Sequence, residues 1–542
     1  MEVRLFFEFL QVAIGYRKSL SVSVADADWH RLFEFCKRQA LIGVGFSAVE
    51  KLHAMGVVCP AALRMQWMAL TLQIEKRNAL LNKQCRQLTD RYKHDGFVTC
   101  ILKGQGNCIN YPEHLRKRRQ CGDIDIWTAP LCDISVAVQT ECNDVEYAVY
   151  NGFRAVREYV RMQHRIEGYF TTPIIRYNHI EAPKIDGTEV EVHFRPCYAH
   201  SPLRNWRMQR WFNDQADVCM KNKTHMGFAV PTASVNVVYQ MCHLFSHYFD
   251  EGLGLRQLMD YYFALRVWHN DVMECKDLQS QGMWIAGLGT PVMSKEEVMA
   301  VIRSFGMRKF AGAVMWVLNE VFGGGNENDN HNDNENNPQR TRRDTDGCPQ
   351  ADFVGEQVLI TDERLMINDG VHTENTEGNG CPQADCFWET AIAINDQQLK
   401  EKKCISTDDT DGGPQADCFE ERELWRIDRE LKEIGPQADG VGEQQLSKIG
   451  QQLKENNFAP WMICEPNEKE GRKLLEEIMK GGNFGQYDTR DAELKKGGMI
   501  KHGIWKLKRV MRLVRSYPEE ALFEPFFRVY HWIWRRFELW RY

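Results

Sequence analysis

Through residues 1–91, apolar side chains recur at intervals of three and four, the spacing that places them along one face of a helix. Asp26 and Asp28 both stand where a cap of the second helix is expected. From Ala61 to Arg91 the period continues without a break and predicts one long amphipathic helix. We therefore interpret residues 1–91 as an N-terminal helical region without visible chemistry. The positions that carry its pattern include Leu5, Phe6, Phe9, Leu10, Trp29, Leu32, Phe33, Cys36, Leu63, Trp67, Leu70, Leu72, Ile74 and Leu80.

The pattern changes at Val98–Leu102, a short apolar run that predicts a strand, and a second strand is predicted near Asp123 and Asp125. Because successive side chains of a strand point to opposite faces, these two acids share one side, while Ile124 and Ile126 share the other. Hard cations such as Mg²⁺ prefer oxygen ligands and commonly use one or two carboxylates together with substrate phosphates. We therefore predict that Asp123 and Asp125 form a metal-binding pair beside a cleft.

A third stretch, Thr188–Phe194, alternates in the same way and places Glu189, Glu191 and His193 on one face. If this strand lies beside the one that carries the two aspartates, Glu191 reaches the same site. Three carboxylates would then surround one or two metal ions. The predicted chemistry depends on this spatial hypothesis.

Two glycines, Gly104 and Gly106, follow the first strand, where backbone N–H groups approach a phosphate without an intervening Cβ. The segment is not a Walker A loop, and it lacks the third glycine of the dinucleotide fingerprint. The adjacent Lys103 adds positive charge. We interpret these three residues as phosphate-binding, and the competing interpretation of Lys103 is an ordinary solvated lysine.

The rest of the region 92–230 is interpreted as the remainder of a catalytic domain. Arg157–Tyr169 is rich in strand-forming residues and is interpreted as further strands of the sheet. His179 and His193 are candidates for contacts with an acceptor, and we place His193 in the nucleotide site because it shares a face with Glu191. The competing interpretation is that each is a structural histidine.

A helical period returns in 231–323 and predicts a helical domain. His243 and His247 are four apart but lack the glutamate and the third ligand of a zinc motif, so we interpret them as polar positions that line the cleft. Arg256 and Asp260 are also four apart and are expected to pair across one helical turn.

The composition breaks after Gly323, where 326–337 consists of asparagine and charged residues with too few apolar groups to offset chain entropy. Beyond it a Pro-Gln-Ala-Asp motif recurs at irregular spacing, without the paired apolar helices that stack in repeat arrays. We interpret 324–457 as a low-complexity, repeat-containing insertion and expect it to be disordered. We assign this insertion no catalytic role.

Residues 458–542 are interpreted as a C-terminal helical region whose tail, from Lys501, combines basic residues with aromatic ones. In one interpretation the aromatic rings pack on the helical domain while the arginines face water. In the other, the tail makes peripheral contact with an anionic membrane. The sequence favours packing and keeps the membrane as a candidate partner.

A chain of 542 residues exceeds one ordinary domain, and its formal net charge of −7 gives no strong signal for nucleic-acid binding. The 18 cysteines are scattered without a Cys-x-x-Cys pair, as expected for reduced thiols in a cytosol. Glu8 interrupts any secretory apolar run, and no apolar stretch is long enough to span a bilayer. We expect a cytoplasmic protein.

Several of these segments, taken in order, resemble the poorly characterised bacterial nucleotidyltransferases of Bacteroides-type organisms, within the polymerase-β-like superfamily. The resemblance implies that Arg119 faces the site and that Arg256 and Asp260, in the helical second domain, close over a substrate. The superfamily's usual Gly-Ser or Gly-Gly is replaced here by Gly104-Gln105-Gly106. The segments that carry the resemblance are Lys103–Gly106, Tyr111-Pro112, Arg119, Gly122–Trp127, Glu191–Phe194 and Gly252–Asp260.

The sequence therefore predicts an α+β protein with a small mixed nucleotidyltransferase sheet flanked by helices, a helical second domain and a long disordered insertion. The predicted activity is metal-dependent transfer of an NMP from an NTP such as ATP to a hydroxyl acceptor, with release of pyrophosphate. Asp123, Asp125 and Glu191 are the expected catalytic residues and ligands of two Mg²⁺ ions, with Mn²⁺ as the alternative. Two other classes stay open: a toxin–antitoxin-type nucleotidyltransferase that modifies protein or tRNA, and a non-catalytic nucleotide-binding protein.

Overall fold

Four helices precede the sheet in the chain, at the positions of the N-terminal helical period. The computed structural model describes residues 3–131, 145–168, 173–280, 292–323, 458–490, 493 and 499–540. Aromatic and aliphatic side chains of the four helices, Trp29 and Trp67 among them, are buried in one shared core. The helices are α1 (Val3–Ile14), α2 (Asp26–Arg38), α3 (Ile42–Ala54) and α4 (Ala61–His94).

One mixed sheet follows, with the strand order β1-β2-β4-β3. β1 pairs with β2 antiparallel, β2 with β4 parallel, and β4 with β3 antiparallel. Two short helices, α5 (Gln105–Cys108) and α6 (Glu113–Arg116), connect β1 to β2. The predicted α+β class with a small mixed sheet is confirmed. The strands are β1 (Phe97–Ile101), β2 (Ile124–Pro130), β3 (His179–Ile185) and β4 (Thr188–His193).

The strands predicted within Arg157–Tyr169 are wrong, because residues up to Ile166 belong to a helix, α7 (Val145–Ile166). Its buried side chains Phe153, Val156 and Val160 recur at helical spacing. The prediction followed the local β-propensity of tyrosine, valine and isoleucine, but burial of one helical stripe outweighs that preference.

The two faces of the sheet have different surroundings. On one face, alternate apolar residues of the two central strands pack with α7 and the second half of α4 in a separate hydrophobic cluster. On the other face lie the acidic and histidine side chains, because strand residues alternate. The apolar face includes Ile124, Ile126, Ile180, Val190 and Val192.

Helices surround the sheet's other side and share the core of the N-terminal helices, so the described part of the chain has one large hydrophobic cluster and one smaller one. These helices are α8 (Pro202–Asp214), α9 (Ala216–Lys221), α10 (Ala233–Asp250), α11 (Leu255–Ser280), α12 (Lys295–Ser304), α13 (Arg308–Phe322), α14 (Glu468–Gly481), α15 (Met499–Leu513) and α16 (Pro518–Trp540).

The chain resumes the same fold after the insertion. Asn467 N donates a hydrogen bond to Gly312 O at 2.8 Å, so the start of α14 lies against α13. The turn at Asn483–Gly485 meets the Gly252 turn, where an added Cβ would lie 2.9 Å from the Gly485 nitrogen. The insertion itself, 324–457, with its predicted disorder, lies outside the described residues.

The aromatic side chains of the tail divide into two groups. Trp505 is buried, and the rings of Phe527 and Trp534 lie 4.9 Å and 5.7 Å from that of Tyr177. Other large apolar side chains of the same helices, such as Phe526, are exposed. Among the described residues, no helix combines the length and the apolar character that crossing a membrane requires.

Candidate active site

Three carboxylates from two strands meet on the polar face of the sheet. Asp125 is the register partner of Glu191 in the parallel pair β2 and β4. Asp123 lies immediately before β2 rather than within it. One ligand oxygen from each of the three lies within 4.8 Å of the others. The structure therefore brings together the three acids that the sequence predicted to share a site.

Asp125 is the deepest of the three acids, with no exposed surface. Its Oδ1 lies 3.0 Å from Lys103 Nζ and 3.0 Å from His193 Nε2. Its Oδ2 is buried and has no hydrogen-bond partner among the described residues. A buried carboxylate oxygen without a partner is costly unless a cation or a donor completes it, so this atom marks a place for a ligand.

The ammonium group of Lys103 is the nearest positive charge. It lies 4.0 Å from Asp123 Oδ2 as well as beside Asp125. Burial opposes the charged form, but attraction to Asp125, Asp123 and Glu191 prevails and raises the pKa of Lys103 above its ordinary value. Lys103 is therefore a partly buried cation that balances the acid cluster and not the solvated lysine of the competing interpretation.

Two glycines let the chain turn from β1 towards the acids. Gly104 has φ +59°, a left-handed conformation that glycine adopts without strain, and its Cβ position would lie 3.4 Å from Asp123 O. A Cβ on Gly106 would lie 2.4 Å from Ile101 O. The loop thus runs close to the strand that precedes the acid cluster.

His193 connects two of the acids. Its Nε2 contacts Asp125 Oδ1 at 3.0 Å and Glu191 Oε2 at 3.5 Å, and its Nδ1 lies 3.3 Å from Arg195 O. Burial lowers the pKa of His193, but the hydrogen bonds with the two carboxylates outweigh it and raise the pKa to about 9. His179 lies on the neighbouring strand, with Nδ1 3.5 Å from Glu191 Oε2.

Asp260 pairs with Arg119 and not, as its helical spacing predicted, with Arg256. Arg119 Nε and Nη2 each donate to Asp260 at 2.6 Å, and Tyr111 Oη donates to the same carboxylate at 2.6 Å. Arg119 and Asp260 are both buried. Burial opposes the charge of Arg119, yet Asp260 raises its pKa well above the ordinary value. The bidentate pair with Arg119 gives both carboxylate oxygens of Asp260 a charged hydrogen-bond donor, which makes it a stronger interaction than a single contact along the helix.

Arg256 takes a different position. Its Nη1 donates to Gln120 O at 2.7 Å, and its guanidinium lies 5.3 Å from the ring centre of Phe484. Burial is the main cause that lowers the pKa of Arg256, and the nearby charge of Arg119 adds to it. Arg256 thus joins the segment before Asp123 to the turn that follows α14.

Two histidines of α10 also approach this region. The rings of His243 and His247 lie 4.3 Å apart. Burial lowers the pKa of His243 well below its ordinary value, and the charges of His247, Lys103 and His193 lower it further. His243 is therefore close enough to Lys103 and His193 for their charges to affect it, which agrees with its predicted position beside the cleft.

The sequence did not indicate that Cys108 and Cys121 adjoin the site. Their sulfur atoms lie 3.6 Å apart, and Arg119 Nη1 lies 2.8 Å from Cys121 Sγ. Burial raises the pKa of Cys121, but the bond from Cys108 and the charge of Arg119 lower it to about 7. The spacing of the two cysteines matches no motif. The one indication in the sequence was that Cys121 lies two residues before Asp123.

The chemistry of the site follows from its donors. Carboxylate oxygens are the ligands that Mg²⁺ and Mn²⁺ prefer, and an oxygen-rich group beside a lysine and glycine N–H groups suits a cation together with a phosphate.

Residues 25–282 match the model of a family described as an uncharacterised nucleotidyltransferase. This segment, a little under half of the chain, resembles that family. The matched segment contains the four described strands and the three carboxylates, so the predicted resemblance to uncharacterised nucleotidyltransferases is confirmed. Nucleotidyl transfer is accordingly the general activity class of this nucleotidyltransferase. No curated protein and no solved structure matches the chain.

Replacing Asp260 tests whether the pair with Arg119 stabilises the site. We expect Asp260→Asn to lower the free energy of unfolding by about 3–5 kcal/mol, because it leaves a buried guanidinium without its counter-charge. Urea unfolding followed by tryptophan fluorescence measures the change. The matched control is Asp217→Asn, which alters an exposed pair with Lys221 and should cost less than about 1 kcal/mol. Equal stability of Asp260→Asn and the unmodified protein would contradict this role.

Proposed function

We propose that this nucleotidyltransferase transfers an NMP from an NTP such as ATP to a hydroxyl acceptor and releases pyrophosphate, in a reaction that depends on a divalent cation. The observation that supports the proposal most directly is the group formed by Asp123, Asp125 and Glu191, in which one buried oxygen of Asp125 lacks a partner among the described residues.

The donors of this group fit Mg²⁺, with Mn²⁺ as the alternative, and we propose that two ions bind there. When bound there, the ions neutralise the carboxylates and polarise the phosphate oxygens of the NTP. Three acids that close together repel one another in the absence of a counter-charge, so the group should attract cations readily.

The chain's own residues orient the acids and manage the proton. Lys103 and His193 hold the same oxygen of Asp125 from two sides, which leaves its other oxygen directed to the ligand. Glu191 is half-buried, so one of its oxygens is available to accept the proton of the attacking hydroxyl. The new bond joins that hydroxyl oxygen to the α-phosphorus, the bond from the α-phosphorus to the bridging oxygen breaks, and pyrophosphate leaves.

Neighbouring residues are assigned to the nucleotide. We assign Gly104 and Gly106 to phosphate contacts through backbone N–H groups, and Arg256 to the charge of the leaving group. Asp260 already uses both carboxylate oxygens on Arg119, so we propose that it positions the arginine rather than contacting the nucleotide itself.

We also propose that the reaction takes place in the cytoplasm. The cysteines that the structure describes are free thiols, which is typical of a reducing compartment.

The test is transfer of label from an NTP carrying ³²P at the α-phosphate, in the presence of Mg²⁺ and a cell lysate as the source of acceptors. We expect labelled product and pyrophosphate, both reduced at least about a thousandfold in the double variant Asp123→Asn/Asp125→Asn, since one charge-stabilising group is commonly worth 10²–10³ in rate. Separating the label into protein, RNA and small molecules identifies the acceptor class.

The matched control is Glu189→Gln. Glu189 lies on the same strand as Glu191, but it is exposed and pairs with Lys184, so its loss should leave transfer unchanged. Circular dichroism and thermal melting establish that the double variant is folded. Undiminished transfer by the folded double variant would overturn the assignment, and Mg²⁺-dependent NTP binding without turnover in every acceptor fraction would overturn the reaction.

A further inference from the structure

A second group of ligand atoms lies beside the three carboxylates. It consists of His179 Nδ1, His193 Nε2 and a carboxylate oxygen of Glu191, all within 4.8 Å of one another. His179 and His193 are register partners on the antiparallel strands β3 and β4, which is why their side chains emerge side by side. Glu191 is two residues from His193 and therefore shares its face.

The separations in this group suit a small ion bound by nitrogen. Both His179 Nδ1 and His193 Nε2 lie 3.5 Å from Glu191 Oε2. In a tetrahedral site with bonds of about 2.1 Å, neighbouring ligand atoms are about 3.4 Å apart. Two of the three separations are thus near the edge of a tetrahedral site, and the third, between the two nitrogens, is within 4.8 Å.

One of the three ligand atoms, His179 Nδ1, has no hydrogen-bond partner among the described residues. His179 Nδ1 is buried, and although it lies 3.5 Å from Glu191 Oε2, it forms no hydrogen bond with any described residue. A buried ring nitrogen without a partner is costly. An ion between His179 and Glu191 would satisfy this atom.

We propose that His179, Glu191 and His193 bind a transition-metal ion such as Zn²⁺ or Co²⁺, at a site that shares Glu191 with the three-carboxylate group. The ion would replace the proton through which His193 Nε2 contacts Asp125 Oδ1. Imidazole nitrogen favours such ions, whereas Mg²⁺ favours oxygen, so the two groups select different metals. Two histidines and one glutamate leave a fourth position open for water or a substrate atom. Glu191 belongs to both groups, so an ion in each would share one carboxylate.

The test uses Co²⁺ as the probe, added to the purified full chain in excess Mg²⁺. We expect one equivalent of Co²⁺ to bind and to show the visible absorption bands of a tetrahedral ion. His179→Ala should weaken this binding by about a hundredfold or more, since altering even groups behind the ligands costs 10–100-fold. His193→Ala should have the same effect.

The controls separate this site from the carboxylate group and from transfer activity. The exposed His30→Ala and the double variant Asp123→Asn/Asp125→Asn should both retain the Co²⁺ bands. Loss of Co²⁺ in the aspartate double variant but not in His179→Ala would locate the ion in the carboxylate group and overturn the proposal. Complete displacement of Co²⁺ by Mg²⁺ would overturn it as well. No outcome depends on turnover.

A different observation concerns the two C-terminal helices, α15 and α16. They expose a series of large apolar side chains, each with 40–72% of its surface accessible. Folded monomers rarely expose so many large apolar groups together, and such a surface marks a binding site. The series comprises Ile504, Leu507, Met511, Leu522, Phe526, Val529, Tyr530, Trp532, Ile533 and Phe537.

The exposed charged side chains described on these two helices are basic, and the partly exposed Glu519 is paired with Arg204. Arg512, Arg535 and Arg536 are exposed on the same two helices. In contrast, Glu520 and Glu524 are buried, with Glu520 paired to His200 and Glu524 to Arg528. The accessible surface of the described helices therefore combines apolar and basic groups, while these two acids are directed inward.

We infer that this face binds the surface of an anionic lipid membrane. Aromatic and aliphatic groups enter the interface between headgroups and acyl chains, and arginines attract anionic headgroups. A second copy of the chain would bring basic face against basic face, which the repulsion between arginines opposes.

Co-sedimentation with vesicles of phosphatidylcholine, with and without phosphatidylserine, tests this inference on the full chain. We expect binding only to the anionic vesicles, weakened by salt. Arg535→Glu/Arg536→Glu should reduce the affinity by about tenfold or more, from the electrostatic contribution of each basic residue. Phe526→Glu/Trp532→Glu should reduce it similarly.

The matched control is Val58→Glu/Met65→Glu, which changes two exposed apolar residues elsewhere and should leave vesicle binding intact. Equal binding to neutral and anionic vesicles, or none, would contradict the inference. So would a dimer in light scattering that the Phe526→Glu/Trp532→Glu variant dissociates, because the apolar face would then be an interface between copies.

Discussion

The parallel pairing of β2 with β4 is the constraint on which the rest of the structure depends. It places Asp125 opposite Glu191 although the two residues are 66 positions apart in the chain. A shift of one residue in this register would turn the acids of one strand towards the apolar cluster behind the sheet. The apolar residues Ile126 and Val192, buried on that other face, therefore fix the acid cluster as firmly as any contact within it.

Charge balance explains the arrangement around the acids. Three carboxylates in one partly buried group would repel one another, and the fold supplies a partly buried lysine and a raised-pKa histidine beside the deepest of them. Asp260 in turn fixes the guanidinium of Arg119 through two hydrogen bonds. The fold can therefore hold three acids close together, because its own cations already compensate part of their negative charge.

Much of this was visible in the sequence, and the parts that were not have physical reasons. Alternation located the strands of Asp125 and Glu191, since burial of one face imposes a period of two. Local propensity failed in α7, where a buried stripe decides the helix. The pair of Arg119 with Asp260 spans 141 positions, and no local spacing indicates such a contact. The same holds for the sulfur atoms of Cys108 and Cys121, which the segment between α5 and β2, including α6, brings together.

The most direct test of the central claim is a crystal structure with Mn²⁺ and a non-hydrolysable NTP analogue, in which anomalous scattering locates the ions. We predict Mn²⁺ within about 2.0–2.2 Å of oxygens from Asp123, Asp125 and Glu191, with the nucleotide phosphates completing its coordination. Mn²⁺ bound elsewhere, with the three carboxylates free of metal and nucleotide, would contradict it.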